Sequence, residues 1–132
     1  MNVFEGILNG AILAEQWNEA MRALNRPPVT TEQIIGFNVW GFLIGIAVVW
    51  MYAALSPRFG AGTATGVKAG VVIWALVYVL GSVGLVVTGI FPLSLMAIGF
   101  VVGLVELIVA GVVGAKLYKQ EASPLAQTAA AR

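Results

Sequence analysis

Long apolar stretches, separated by short groups of glycine, proline and charged residues, dominate the chain. A helix needs roughly 20 residues to cross the hydrocarbon core of a bilayer, which is about 30 Å thick. Three stretches reach this length, namely residues 34–55, 68–91 and 93–116. The pattern therefore predicts an all-α protein with three membrane-spanning helices in this part of the chain.

A shorter apolar run lies near the start of the sequence. Residues 3–14 are too few to cross a bilayer, but the sequence continues without a helix breaker as far as Pro27 and Pro28. A helix has to end at such a pair, because proline lacks the backbone N–H and clashes with the preceding turn. We therefore expect one further helix over residues 2–25, with its first half embedded in the membrane.

The ends of the other helices carry recognisable signals. Thr30 and Gln33 have the spacing of a capping box, in which each side chain binds the free backbone N–H of the other residue. Pro57 and the glycines that follow it predict the end of the second helix. Pro92 is suited to the first turn of the last helix.

The composition agrees with a membrane protein. The 132 residues are 60% hydrophobic and 10% charged, whereas a soluble domain carries about 25% charged residues. A soluble domain of this size has no core large enough to bury so much apolar surface. We expect an up-down-up-down bundle of four transmembrane helices, which forms one domain over residues 1–119 and is followed by a flexible polar tail over residues 120–132.

Several kinds of chemistry are excluded by residues that the sequence lacks. It has no histidine and no cysteine, so the usual ligands of zinc, copper and haem iron and the usual nucleophile–base pairs are missing. The glycine-rich loop GAGTATG lacks the Gly-Lys-Ser/Thr ending of a phosphate-binding loop. The net charge of +1 offers no basic surface for nucleic acid. We expect no enzymatic activity, no cofactor, no metal and no nucleic-acid partner.

The distribution of lysine and arginine predicts the orientation, because cytoplasmic loops are enriched in these residues. One side of the predicted helices carries only Arg22 and Arg26. The other side carries Arg58, Lys68, Lys116, Lys119 and Arg132. We therefore expect a multi-pass membrane protein with both termini in the cytoplasm.

Contacts between the helices have to come from close backbone approach and buried polar groups, because lipid tails are as apolar as leucine. Every predicted helix has small residues four positions apart that would permit such an approach. The glycine pairs are Gly6 and Gly10, Gly41 and Gly45, Gly66 and Gly70, and Gly99 and Gly103, and the last helix adds Ala110 with Gly114 and Gly111 with Ala115. We expect a tight bundle in the lipid bilayer, as a homo-oligomer or within a larger membrane complex.

Two similar segments open the second and the fourth helix. IGFNVWG lies near the start of the one and IGFVVGL near the start of the other. One interpretation is a tandem repeat of two helical hairpins with parallel halves. The other is a chance similarity between glycine-rich apolar segments.

One carboxylate lies in the middle of the last helix, in the stretch IGFVVGLVELIVAGVVG. Glu106 is about 15 Å from Lys116 at the helical rise, and a charge at this depth costs about 2.5–3.5 kcal/mol on insertion scales. We expect it to face the bundle in its protonated form, bonded to polar groups of similar depth. The candidates are Asn9 and Tyr78, with Ser82 one turn further along.

Two roles for Glu106 follow from this position. It is either a proton carrier or cation site in a small proton-coupled transporter or channel, or a neutral acid that holds helices together. The second role is favoured, because no lysine or arginine lies at the same depth. Glu5 and Glu15 are secondary candidate acids, but both lie near a predicted membrane boundary.

Two resemblances bear on these alternatives. The segment GAILAE, residues 10–15, resembles the first helix of the small multidrug resistance transporters, four-helix proteins in which a glutamate binds protons and cationic drugs. That resemblance implies Glu15 as the coupling carboxylate, but it ends where QWNEAMRALNR follows. Residues 17–118 are similar to small uncharacterised bacterial four-helix membrane proteins, in stretches such as NVWGFLIGIAVVW and FPLSLMAIGFVVG. This similarity implies the four-helix architecture and a bacterial inner membrane, but no activity.

Overall fold

The computed structural model describes residues 6–118, and every regular element in this range is helical. We number four helices in chain order. They are α1 (Ala14–Ala23), α2 (Thr31–Phe59), α3 (Thr63–Val87) and α4 (Leu93–Leu117). A π-helical turn over Leu8–Ile12 precedes α1, and a second one over Ala75–Leu80 lies within α3.

Three of these helices, α2, α3 and α4, are long and apolar enough to cross a membrane. The prediction of three such helices in this part of the chain is therefore confirmed. α3 ends earlier than predicted, because Gly89 takes a φ of +68° and turns the chain away. Glycine adopts this conformation without the penalty that other residues bear. The amide of Ile90 then donates to the carbonyl of Leu85 at 3.1 Å, which closes the helix end.

The start of α2 has the predicted capping box. The amide of Gln33 donates to the hydroxyl of Thr30 at 3.4 Å, and the amide of Thr30 donates to the side-chain oxygen of Gln33 at 3.0 Å. These two bonds satisfy two of the backbone amides that the start of the helix would otherwise leave free.

The end of α2 lies beyond Pro57, which the helix includes. A proline has no N–H for the carbonyl four residues earlier, here that of Ala53. The hydroxyl of Ser56 donates to this same carbonyl at 3.1 Å and replaces the missing donor. The helix therefore continues to Phe59 instead of ending at the proline.

The centre of the bundle is formed by α2, α3 and α4. Its buried core consists of Ile44, Val48, Ile73 and Leu107. α3 and α4 approach until their backbones touch. A Cβ added at Gly66 would lie 2.9 Å from the carbonyl carbon of Gly111, so only glycine fits there.

Gly70 lies at the same contact, one helical turn further along α3 than Gly66. A Cβ added at Gly70 would lie 2.7 Å from the carbonyl carbon of Leu107 and 3.0 Å from Cα of Ile108. Gly70 therefore packs against the backbone of two large apolar residues, whereas Gly66 packs against that of another glycine. The glycine spacing predicted a helix contact at Gly70, but it did not predict Leu107 and Ile108 as the neighbours. A glycine on one helix is sufficient here, because the side chains of the other helix can point away from the contact.

The predicted glycine pairs thus differ in their use within the single chain. Gly111 of α4 lies at the contact with α3, and Gly103 faces the ring of Tyr78. Other predicted positions have no close contact: a Cβ would meet no atom within 4 Å at Gly6, Gly10, Gly45 and Gly99. The spacing of glycines shows which helix faces permit close approach, but the crossing point of two helices selects the glycines that are used.

The N-terminal segment differs from the predicted single helix over residues 2–25. The π-helical turn closes with a bond of 2.8 Å from the amide of Leu13 to the carbonyl of Leu8. Leu13 then leaves helical geometry, with φ −102° and ψ 6°, before α1 begins. α1 ends at Ala23, and Asn25 takes a φ of 53° before the two prolines.

α1 lies at the end of the bundle where α3 and α4 are joined. Leu13 and Ala20 pack against Leu95, and the ring of Trp17 lies edge-on to that of Phe91 with 5.6 Å between the centroids. The fourth membrane crossing stays a prediction, because α1 and the turn before it are shorter than the three spanning helices. The predicted tail over residues 120–132 lies outside the described residues.

Candidate functional site

Glu106 is buried at the middle of α4. Only 8% of the residue is exposed, and both carboxyl oxygens are buried. Gly103, Leu107, Gly111 and Gly114 are buried on the same helix, at the spacing of three and four residues that defines one helix face. The predicted inward orientation of Glu106 is therefore what the structure has.

Tyr78 of α3 lies one helical turn from this carboxyl. Its ring rests on Gly103, and a Cβ added at Gly103 would lie 2.8 Å from ring atom Cε2. The ring carbon that carries the hydroxyl touches the same position. Gly103 precedes Glu106 by three residues, and residues at this spacing are neighbours on a helix surface. The structure thus places Tyr78 at the same helix face as Glu106.

The close contact at Gly70 brings the backbone of α3 to the residues next to Glu106. Leu107 and Ile108, the two residues that Gly70 meets, directly follow Glu106 in α4. Gly70 itself is buried and carries no side chain that could bind the carboxyl. It therefore belongs to the packing around the candidate site and not to its polar cluster.

Both predicted partners of Glu106 lie in π-helical turns. Tyr78 belongs to the turn over Ala75–Leu80 and Asn9 to the turn over Leu8–Ile12. A π-helical turn inserts an extra residue and redirects the side chains around it, and such turns occur frequently at functional sites. The sequence carries no signal that we could use to predict either turn.

The amide side chain of Asn9 has a partner within its own segment. The indole N–H of Trp17 donates to its Oδ1 at 2.9 Å. This bond ties the π-helical turn to α1, and the sequence analysis did not predict it. Ser82, the fourth member of the predicted cluster, is half-buried one turn beyond Tyr78.

Trp74 is a contact between α3 and α4 that the sequence analysis missed. Its indole N–H donates to the backbone carbonyl of Phe100 at 2.8 Å. A helical carbonyl has a second lone pair that can accept such a bond. Trp74 directly precedes the π-helical turn, and Tyr78 lies within it. The two aromatic side chains therefore connect α3 to α4 at successive positions, Trp74 at Phe100 and Tyr78 at Gly103.

The secondary acids do not join this cluster in the described residues. Glu15 is exposed in the first turn of α1, where a negative side chain complements the helix dipole. This is not the buried membrane position that a coupling carboxylate would need. Glu5 lies outside the described residues.

The cluster offers proton and hydrogen-bond chemistry. Within residues 6–118, no three side chains of the types His, Cys, Asp and Glu lie together in a group that could hold a metal ion. A buried carboxyl beside a phenol can exchange a proton or share one in a hydrogen bond. Both uses of Glu106 considered from the sequence are therefore chemically compatible with this arrangement.

Comparison of the chain with protein-family models, with curated proteins and with solved structures gives no match.

Proposed function

We propose that this protein is a non-enzymatic integral membrane protein of the bacterial inner membrane that associates with a second copy of itself. The observation that carries this proposal is the exposure of the first ten residues of α2. All residues from 31 to 40 are exposed, whereas one face of the helix from Ile44 onward packs in the bundle. These ten residues include large apolar side chains, among them Phe37 and Trp40, which are 65% and 58% exposed.

The spacing of the buried residues in α2 supports a partner at its exposed first ten residues. The buried residues of α2 follow each other in steps of four, namely Ser56, Tyr52, Val48 and Ile44. The same steps continue to Trp40 and Gly36, and a Cβ at Gly36 would meet no atom within 4 Å. Within residues 6–118, the line that packs α2 into its own bundle therefore runs on without a neighbour.

A second copy is the partner that fits this segment best. In a symmetric dimer, the same surface on both subunits has to be self-complementary. The exposed first ten residues of α2 contain both large side chains and Gly36, and the pair Gly41 and Gly45 follows directly. Large side chains of one copy can then lie over glycines of the other, which is how small-residue motifs bring membrane helices together.

The absence of natural cysteines allows a direct test. We expect Phe37→Cys to give a disulfide-linked dimer in membranes after mild oxidation. Leu93→Cys is the matched control, because Leu93 has the same exposed fraction of 65% but lies on α4. Equal crosslinking of both variants would mean random collision. A monomer that co-purifies with a different protein in mild detergent would contradict self-association and favour an accessory subunit.

A second candidate function is a small proton-coupled transporter or channel, and the burial of Glu106 beside Tyr78 favours it. In the structural role, Glu106→Gln keeps the hydrogen bonds and should preserve stability, whereas Glu106→Leu should cost about 0.6–2 kcal/mol. Thermal unfolding in detergent measures this difference, with Glu15→Gln as an exposed control.

Proton flux into proteoliposomes separates the two functions. The structural role predicts no flux above that of empty liposomes for the wild-type protein. A wild-type flux that Glu106→Gln abolishes without loss of stability would establish the transporter function instead.

A further inference from the structure

The end of the bundle opposite α1 has an excess of positive charge. Arg58, Lys68 and Lys116 are all exposed there. Among residues 6–118, the exposed acids belong to α1 and the start of α2 at the opposite end, and Glu106 is buried in the middle. The described residues at this end therefore contain no carboxylate that could neutralise these cations.

Two of the cations share one aromatic ring. Nζ of Lys68 lies 4.2 Å from the ring centroid of Phe59, and Cζ of Arg58 lies 5.7 Å from it. The negative face of an aromatic ring attracts cations at such distances. The distance between Nζ of Lys68 and Cζ of Arg58 is therefore no greater than the sum of these two distances.

Two hydrogen bonds to buried side chains hold the loop between Arg58 and Lys68. The hydroxyl of Thr65 donates to the carbonyl of Gly60 at 2.7 Å, and the amide of Gly62 donates to the hydroxyl of Tyr52 at 3.1 Å. Both Thr65 and Tyr52 are only 2% exposed. These two bonds anchor the backbone of the glycine-rich loop that connects the helix end carrying Arg58 with the helix start carrying Lys68.

An apolar track descends from Lys68 along α3. Val72 and Leu76 follow it in steps of four residues, before and near the start of the π-helical turn, and are 38% and 49% exposed. Residues at this spacing line one face of a helix. A ligand with a negative head and an apolar chain would match the cations at the top and the track below.

We propose that Arg58, Lys68 and Phe59 form a binding site for the headgroup of an anionic phospholipid. The phosphate lies between the guanidinium and the ammonium group, where charge-assisted hydrogen bonds are strong. An acyl chain lies along Val72 and Leu76. The same cations could attract free phosphate, but the apolar track has a use only for a lipid.

The test compares two lysines at the same end of the bundle. Wild-type protein and the variants Lys68→Ala and Lys116→Ala are titrated in neutral detergent with phosphatidylglycerol or phosphatidylcholine, and bound lipid is counted by native mass spectrometry. We expect selective binding of phosphatidylglycerol by the wild type. Lys68→Ala should weaken it roughly fivefold, since one cation near a lipid surface contributes about 1 kcal/mol. Lys116→Ala should have a smaller effect, because Lys116 does not lie over Phe59.

Two further samples complete the experiment. Arg58→Gln/Lys68→Gln removes both charges but keeps a polar side chain at each position, and it should abolish the selectivity even if alanine variants do not fold. Arg22→Gln/Arg26→Gln removes the same charge at the other end and should leave the selectivity intact.

Three results would overturn the proposal. Equal losses in Lys68→Ala and Lys116→Ala would mean a diffuse attraction of the whole surface for anions. Equal affinity for both lipids would mean that no anionic site exists. Competition by inorganic phosphate at the concentration of the lipid would assign the site to a free anion.

Discussion

Individual residues at the centre of the bundle are defined by what lies against them. Gly103 and Gly99 belong to the same predicted packing pair, yet only Gly103 faces a neighbouring side chain, the ring of Tyr78. Glu106 lies one turn further along the face that Gly103 opens. The room for Tyr78 near the buried carboxyl therefore depends on the missing side chain at Gly103.

The two glycines give a prediction with an internal control. Gly103→Leu should lower the free energy of unfolding by roughly 1–3 kcal/mol, because the new side chain displaces the ring of Tyr78. Gly99→Leu introduces the same side chain on the same helix where a Cβ meets no atom within 4 Å, and it should leave stability unchanged. Thermal unfolding of both variants in detergent makes the comparison. Equal destabilisation would show that Gly99 is also packed, for example against a second copy.

Among the helices, α2 differs from its neighbours in two ways. Its first ten residues are exposed, and its last turn contains a proline. The exposed first ten residues support the proposed self-association. The proline turn carries Arg58 and Phe59 of the proposed lipid site. Both proposals therefore depend on how far this one helix extends beyond the common core.

The hydrogen bond of Ser56 at the proline turn of α2 can be tested by substitution. Ser56→Ala should cost about 0.5–1.5 kcal/mol, because the carbonyl of Ala53 loses the donor that replaces the N–H of residue 57. In a Pro57→Ala background the backbone N–H is present again, so Ser56→Ala should cost clearly less. The four free energies of unfolding form a double-mutant cycle. An identical cost in both backgrounds would contradict this role of Ser56.

For the whole molecule, the topology depends on whether the N-terminal segment forms a fourth crossing. The charge distribution predicts cytoplasmic termini, but the described part of this segment is divided into a π-helical turn and a short amphipathic α1. Its contacts with Phe91 and Leu95 place α1 at the end where α3 joins α4. A crossing would have to use the residues before α1.

Reporter fusions test this topology. We expect reporters at the N-terminus and at the C-terminus to be cytoplasmic, and a reporter inserted at Pro28 to be periplasmic, because the Lys- and Arg-rich loops remain inside. A periplasmic N-terminus, with the other two reporters as expected, would show that only α2, α3 and α4 cross the membrane. A periplasmic C-terminus would reverse the predicted orientation.

Features that depend on local composition could be predicted from the amino-acid sequence. Apolar length predicted α2, α3 and α4, the Thr30–Gln33 spacing predicted the capping box, and the depth of Glu106 predicted its burial. These features follow from the pattern within one segment, since a buried acid or an unsatisfied amide is costly wherever the neighbouring helices lie.

Which residues meet across the helices depends on the tertiary structure. It selected Gly66 and Gly70 over Gly99, and it set Gly70 against the backbone of Leu107, a neighbour that no glycine spacing indicates. The physical reason is that a crossing point depends on the relative position of two helices, and many glycine faces offer similar packing in a bilayer. The π-helical turns that carry Asn9 and Tyr78 likewise emerge only in the structure, because no local sequence pattern specifies them.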